Sequence, residues 1–403
     1  MLLTVSKRLE FSASRRLFVP DWSEKENRAA FGPETSARFG TGRNYVAWFI
    51  FTGLVDPVNG MLMNISQIKE RAGEILHAGF DHKFLNNDNG AFAKIAPSTV
   101  NVARELFLRV EERFRGATAR LVACHLRESE NRSATYYLDG SGDDNYWLEF
   151  SAGGRTISPE LSVAENERLF GEATRVHGHN YKCRITFWRE SLDPKTPPVR
   201  FDDVESCLRA IRSELDYRNL NADVPALAGK PVTTETLAML ILERSRSAGP
   251  AHRVRLHERD DFFAEAWQDG SVFLGMRMPF SAAHRLHVKS ISAEENLALY
   301  GKCNNPGGHG HQYRIEATVG GELDRRSGTL ANFSDIRDAI SSAIAPWENR
   351  HLDRETDDFS EVPSTGENIV RVLWPRLDRG VKQQLVRLRL WETANNCFTL
   401  RRT

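Results

Sequence analysis

The sequence predicts an α+β protein of three tandem units, each reading strand, strand, helix, helix, strand, strand, closed into one antiparallel β-barrel with its helices outside. Two observations carry this. Five landmarks recur in one order at a period of roughly 130 to 140 residues, as expected of repeated units. Each unit also has four main strands and two helices on one face, which leaves two sheet edges unpaired. Three such units remove every edge by pairing edge to edge.

The first landmark is Phe-Ser-Ala, at Phe11, Phe150 and Phe280. The second ends a strand motif: Gly40-Thr-Gly-Arg-Asn-Tyr45, Val176-His-Gly-His-Asn-Tyr181 and Gly308-His-Gly-His-Gln-Tyr313. The third closes a helical stretch: Phe80-Asp-His-Lys-Phe-Leu-Asn86, Leu215-Asp-Tyr-Arg-Asn-Leu-Asn221 and Trp347-Glu-Asn-Arg-His-Leu-Asp353. The fourth, Pro97-Ser-Thr-Val-Asn101, Val232-Thr-Thr-Glu-Thr236 and Ser364-Thr-Gly-Glu-Asn368, opens an amphipathic stretch. The fifth ends a strand in a glutamate, at Glu128, Glu258 and Glu392.

In unit three, 312–318 alternates as a strand, and 334–344 spaces its apolar residues as a helix. A second helix is expected over 367–377, with Ser364 or Thr365 as its cap. Strands over 384–391 and 398–402 complete the unit. Turn-rich segments Asp139-Gly-Ser-Gly-Asp-Asp144 and Gln268-Asp-Gly270 mark boundaries. The units are therefore placed at 1–142, 143–268 and 269–403.

Composition narrows the function class. Over 403 residues, 40% are hydrophobic, 27% are charged and the formal net charge is zero, so nothing favours nucleic acid or an anionic membrane. No apolar run is long enough to span a bilayer, and the start alternates like a strand rather than a signal peptide. Five scattered cysteines make no disulfide framework. We expect a cytoplasmic, reduced chain with a small-molecule substrate.

The chemistry concentrates in residues 280–313. His309 and His311, at i and i+2 of a strand, project from one face. His284 ends the alternating segment from Val272. Three imidazoles converging from two strands would make a zinc site with an open position. Cys303 lies nearby in a Gly/Asn/Pro-rich loop.

Phe280-Ser-Ala-Ala-His284-Arg-Leu together with Gly301-Lys-Cys303-Asn-Asn-Pro-Gly-Gly-His309-Gly-His311-Gln-Tyr313 resembles the 6-pyruvoyltetrahydropterin synthase family, which includes the 6-carboxytetrahydropterin synthases. The resemblance covers nearly the whole chain. It implies a tunnelling fold (T-fold), here as a covalent pseudo-trimer with a twelve-stranded barrel, and a homodimer that mimics the family's hexamer. It also implies that His284, His309 and His311 bind Zn2+ and that Cys303 is the catalytic base. The family's Asp-His pair, which activates the cysteine across a subunit interface, matches Asp81-His82. Glu392 matches the carboxylate that grips the pterin ring, and Glu128 and Glu367 join it as candidate substrate-binding residues.

Divergence between the copies divides the labour. Unit one has Arg15, Thr41 and Arg43 at the zinc positions and Glu34 near the cysteine position. Unit two keeps His177 and His179 but has Gly154 and Ala173 at the other two, and a pair of ligands rarely holds zinc. One metal per chain is expected, in unit three. The dyad survives only in unit one, since unit two has Asp216-Tyr217 and unit three Glu348-Asn349; His351 is displaced by two residues. Arg15, Arg16, Arg38 and Arg43 could meet a triphosphate, or fill vacated ligand positions by pairing with carboxylates.

The implied activity is zinc-dependent conversion of 7,8-dihydroneopterin triphosphate to 6-pyruvoyltetrahydropterin, in one site composed from units three and one. The alternatives are the 6-carboxytetrahydropterin branch, a zinc lyase for another heterocycle, or a non-catalytic pterin-binding scaffold.

Overall fold

The structure is a computed structural model describing residues 1–403. Unit one supplies β1 (Leu2–Arg15), β2 (Thr41–Thr52), β3 (Lys83–Phe84), β4 (Arg120–Ser129) and β5 (Arg132–Tyr137). Unit two supplies β6 (Gly142–Gly154), β7 (His177–Arg189), β8 (Arg218–Asn219), β9 (Ala251–Arg259) and β10 (Phe262–Trp267). Unit three supplies β11 (Val272–His284), β12 (His309–Gly320), β13 (Arg350–His351), β14 (Gln384–Thr393) and β15 (Asn396–Arg401). The two-residue strands β3, β8 and β13 each pair in parallel with the first strand of their unit. The other twelve follow one another round a closed antiparallel barrel, with β5 on β6, β10 on β11 and β15 on β1 joining the units.

The segments read as inter-unit linkers are tight hairpin turns inside the sheet. Tyr137 N–H donates to Ser141 O at 3.0 Å, and Trp267 N–H to Ser271 O at 2.9 Å. Asp139 and Asp269 each accept the N–H of the serine two residues on, while Gly140 (φ 86°) and Gly270 (φ 89°) take the left-handed conformation the turn requires.

The landmarks recur because each has one packing task. The phenylalanine of Phe-Ser-Ala stacks on the tyrosine ending the second motif, with centroids 4.8 Å apart for Phe11–Tyr45, 5.0 Å for Phe150–Tyr181 and 4.9 Å for Phe280–Tyr313. Such a pair adds about 0.5–1.5 kcal/mol beyond the area it buries. The acid of the third landmark accepts the serine N–H of the first: Asp81 from Ser12 and Asp216 from Ser151 at 2.9 Å, Glu348 from Ser281 at 3.2 Å. The next residue is left-handed in every unit: His82 (φ 55°), Tyr217 (φ 54°) and Asn349 (φ 58°).

Two long helices per unit pack on the barrel, in unit three Phe333–Ile344 and Gly366–Gly380. Thr365, of the two candidates, is the cap of the second, its side chain accepting Asn368 N–H. Each unit also has a short helix between its first two strands that the periodicity reading did not include: Glu24–Phe31, Val163–Phe170 and Ala293–Tyr300. All three begin in a serine–glutamate capping box, at Ser23/Glu26, Ser162/Glu165 and Ser292/Glu295, which was the available signal. Eight residues are too few to show a helical stripe clearly. No helix is long and apolar enough to cross a membrane.

Candidate metal centre

His284 ends β11 and pairs directly with His309, the first residue of β12. The antiparallel register therefore sets His284, His309 and His311 on one face, with one ligand atom from each lying within 4.8 Å of the others. His284 Nε2 is 3.1 Å from His309 Nε2. The other nitrogen of His284 lies 3.1 Å from the carbonyl oxygen of Ser364, where Nδ1–H donates and leaves the Nε2 lone pair free. The Ser364 hydroxyl in turn donates to Asp353 at 2.9 Å. Burial holds the His284 imidazole down at about 4, and burial also lowers that of His309. Neutral rings are the ligating form. The buried Nε2 of His311 has no hydrogen-bond partner. An orphaned ring nitrogen beside two others fits a cation better than it fits packing.

Glu392 on β14 stands 3.9 Å from Nε2 of both His284 and His311. Asn396 holds its other oxygen at 3.0 Å. Cys303 is half-buried in a 3-10 turn, Gly301–Asn304, directly after the Ala293–Tyr300 helix. This turn stands where the sequence suggested an irregular loop. Burial and the nearby Glu392 push the Cys303 thiol up, against a smaller pull from Lys302. His351, set aside from the sequence, is also here: a side chain at Gly308 would meet its Nε2 at 2.6 Å, and neither of its buried ring nitrogens has a partner.

The centre lies at the seam between units three and one. From unit one, Leu62 N–H donates to Glu367 at 2.9 Å, Gly60 O accepts the Thr365 hydroxyl at 2.7 Å, and Asn59 O accepts the Tyr300 hydroxyl at 2.7 Å. Burial raises the Glu367 carboxyl to about 7. Unit one thus lends the segment after β2, not its Asp-His pair. Asp81 and His82, 3.0 Å apart, are held on Ser12 of their own unit, whose N–H donates to Asp81 and whose carbonyl oxygen accepts His82 N–H, with the His82 ring exposed. The structure brings His284, His309, His311, Glu392, Cys303 and Glu367 to one seam and leaves Asp81, His82 and Glu128 elsewhere in the chain.

Unit one is occupied by arginine. The fully buried Arg15 replaces the first histidine and pairs with Glu34, at the cysteine position, and with Glu128 at 2.8 Å. Arg43 pairs with the same Glu34. Although burial opposes it, Arg15 holds the Glu128 carboxyl down at about 2. In unit two the surviving His177 and His179 find a third neighbour, Glu258, which the sequence reading did not assign to them.

A closed barrel of three repeated units, with an imidazole cluster at one seam, defines a fused T-fold protein. The family model described as 6-pyruvoyl tetrahydropterin synthase matches residues 4–139, 148–269 and 274–403, and the chain belongs to that family as three fused copies. The 6-pyruvoyl tetrahydrobiopterin synthase of Homo sapiens is 42% identical over 125 residues, 30% of this chain and 84% of the human protein. Its Drosophila melanogaster counterpart is 38% identical over 137 residues, 33% of this chain and 82% of its own. A solved structure of Caenorhabditis elegans 6-pyruvoyl tetrahydropterin synthase is 32% identical and covers 33% of this chain and 96% of its own, with a TM-score of 0.32.

Proposed function

We propose that the chain is a zinc-dependent lyase acting on 7,8-dihydroneopterin triphosphate, with 6-pyruvoyltetrahydropterin as product. The observation that carries this is the meeting of three imidazoles, a thiol and two carboxylates at one seam. His284, His309 and His311 would hold the zinc. When bound, it would supply Lewis-acid polarisation of the hydroxyls on the substrate's side chain.

The chain's own groups do the rest. Glu392 and Glu367 would accept hydrogen bonds from the ring N–H and amino groups of the pterin, fixing a flat heterocycle in one orientation. Cys303 moves protons between the side-chain carbons as its thiolate. Its local surroundings disfavour that thiolate, so a cationic partner has to come from outside them. His82, steadied by Asp81, is that partner. Because the dyad is exposed on unit one, it reaches Cys303 most simply from a second chain stacked on the barrel. The composite site then takes zinc and thiol from one chain's unit three and the dyad from the other's unit one.

The test is turnover of 7,8-dihydroneopterin triphosphate by the zinc-loaded chain, following triphosphate release and identifying the pterin product. Release of triphosphate with the pyruvoyl product, lost in Cys303→Ala, is expected. A 6-carboxy product would move the chain to the other branch. Tight binding without turnover would leave a pterin-binding scaffold, the reading favoured by Asn349 at the dyad position of unit three.

A further inference from the structure

The surroundings of His177 and His179 differ from the expectation of an abandoned site. β7 sets both rings on one face, with centroids 5.0 Å apart against 4.9 Å for His309 and His311. His177 Nδ1 lies 2.7 Å from the carbonyl oxygen of Arg175, where Nδ1–H donates and leaves Nε2 with its lone pair free. The first-histidine position holds no side chain, since Gly154 stands there. A Cβ on Gly154 would meet Asn221 Oδ1 at 2.7 Å, and that oxygen already accepts Arg155 N–H.

The third donor comes from the other neighbouring strand. Glu258, near the end of β9, brings Oε1 to 3.2 Å from His179 Nε2, whereas Glu392 in unit three stands off at 3.9 Å. Without a third imidazole in the way, the carboxylate closes in. Its second oxygen accepts the Thr234 hydroxyl, which orients it. The three ligand atoms lie within 4.8 Å of one another. They face a cavity of about 480 Å³ at the seam with unit three, where Thr329 and Phe333 form part of the opposite wall.

We propose that His177, His179 and Glu258 form a second divalent-metal site, of two-histidine, one-carboxylate type, with its open coordination positions facing this cavity. Two imidazoles and a carboxylate suit zinc or iron(II) and leave room for water or an oxygen-bearing ligand. The single-metal expectation weighed the histidine and cysteine positions and no carboxylate; the sequence places Glu258 far along the chain, and only the β7–β9 pairing brings it across.

The test is metal stoichiometry of the full chain, stripped with chelator and reloaded with zinc alone. Two zinc ions per chain are expected in the wild type, one in His309→Ala and none in His309→Ala combined with His179→Ala. In the His309→Ala background, Glu258→Gln should weaken zinc binding by at least about tenfold. The single variant His179→Ala should keep one zinc, bound in unit three, which also reports that the chain is folded. One zinc in the wild type, lost in His309→Ala, would overturn the second site and leave the proposed lyase centre standing. Unchanged affinity in Glu258→Gln would remove the carboxylate from the set and overturn the proposal equally.

Discussion

Arg15 Nη2 donates to Glu128 at 2.8 Å with both side chains buried, so unit one holds a fixed cation where unit three gathers imidazoles. Removing one partner of a buried pair strands the other charge. Arg15→Ala should therefore cost about 3–5 kcal/mol, read as a fall in the urea midpoint at constant slope. Arg15→His should add no zinc, because Thr41 and Arg43 occupy the other two positions. A loss below about 1 kcal/mol would show that the pair is solvated and contributes little.

Cys303→Ala separates metal holding from chemistry. None of the three imidazoles depends on the thiol, so zinc content should stay at the wild-type value. Turnover should fall by about 10²–10⁴, the usual contribution of a positioned acid–base group. Simultaneous loss of zinc would make Cys303 a ligand rather than a base.

His82→Ala should lower kcat by a similar factor of about 10²–10⁴ while leaving zinc binding intact. Mixing His82→Ala chains with Cys303→Ala chains then asks where the dyad acts. If it acts between chains, each mixed dimer regains one complete site and activity returns. No recovery, with subunit exchange verified, would confine the dyad to its own chain or remove it from the mechanism.

Asp144 is fully buried at the start of β6, neither of its oxygens has a hydrogen-bond partner, and burial pushes its carboxyl up to about 7. A carboxyl raised in the folded state stabilises the fold only while protonated. Its contribution is complete below about pH 4, falls as pH rises, and levels off above about 7. Asp144→Asn should thus match the wild type at pH 4 and exceed it by about 2–4 kcal/mol at pH 8.5. An equal difference at both values would sink the assignment.

Most of the fold was legible because the repeats carry strong local chemistry. Phe280 and Tyr313 mark two strands that must pair, and the alternation from Val272 ends where β11 ends, at His284. The His284, His309 and His311 cluster was legible for the same reason, since spacing along two adjacent strands fixes which side chains share a face. What depended on contact between distant segments was not. Nothing local says that Leu62 N–H seats Glu367, or that Glu258 reaches His179. The position of Asp81 and His82 was read from a motif, and a motif carries chemistry but not address: Asp81 accepts Ser12 N–H just as Asp216 accepts that of Ser151 and Glu348 that of Ser281, and the residues following those two acids are not histidines.

The two short turns at Leu138–Ser141 and Gln268–Ser271 have a consequence for assembly. Separate subunits with three different sequences would combine at random, and most rings would lack one seam or duplicate another. Tethered through turns of this length, each unit meets its neighbour at a very high effective concentration and in one order. Every barrel then carries one arginine-filled seam, one two-histidine seam and one three-histidine seam. Covalent order replaces recognition between subunits, and each seam is free to change without having to fit a copy of itself.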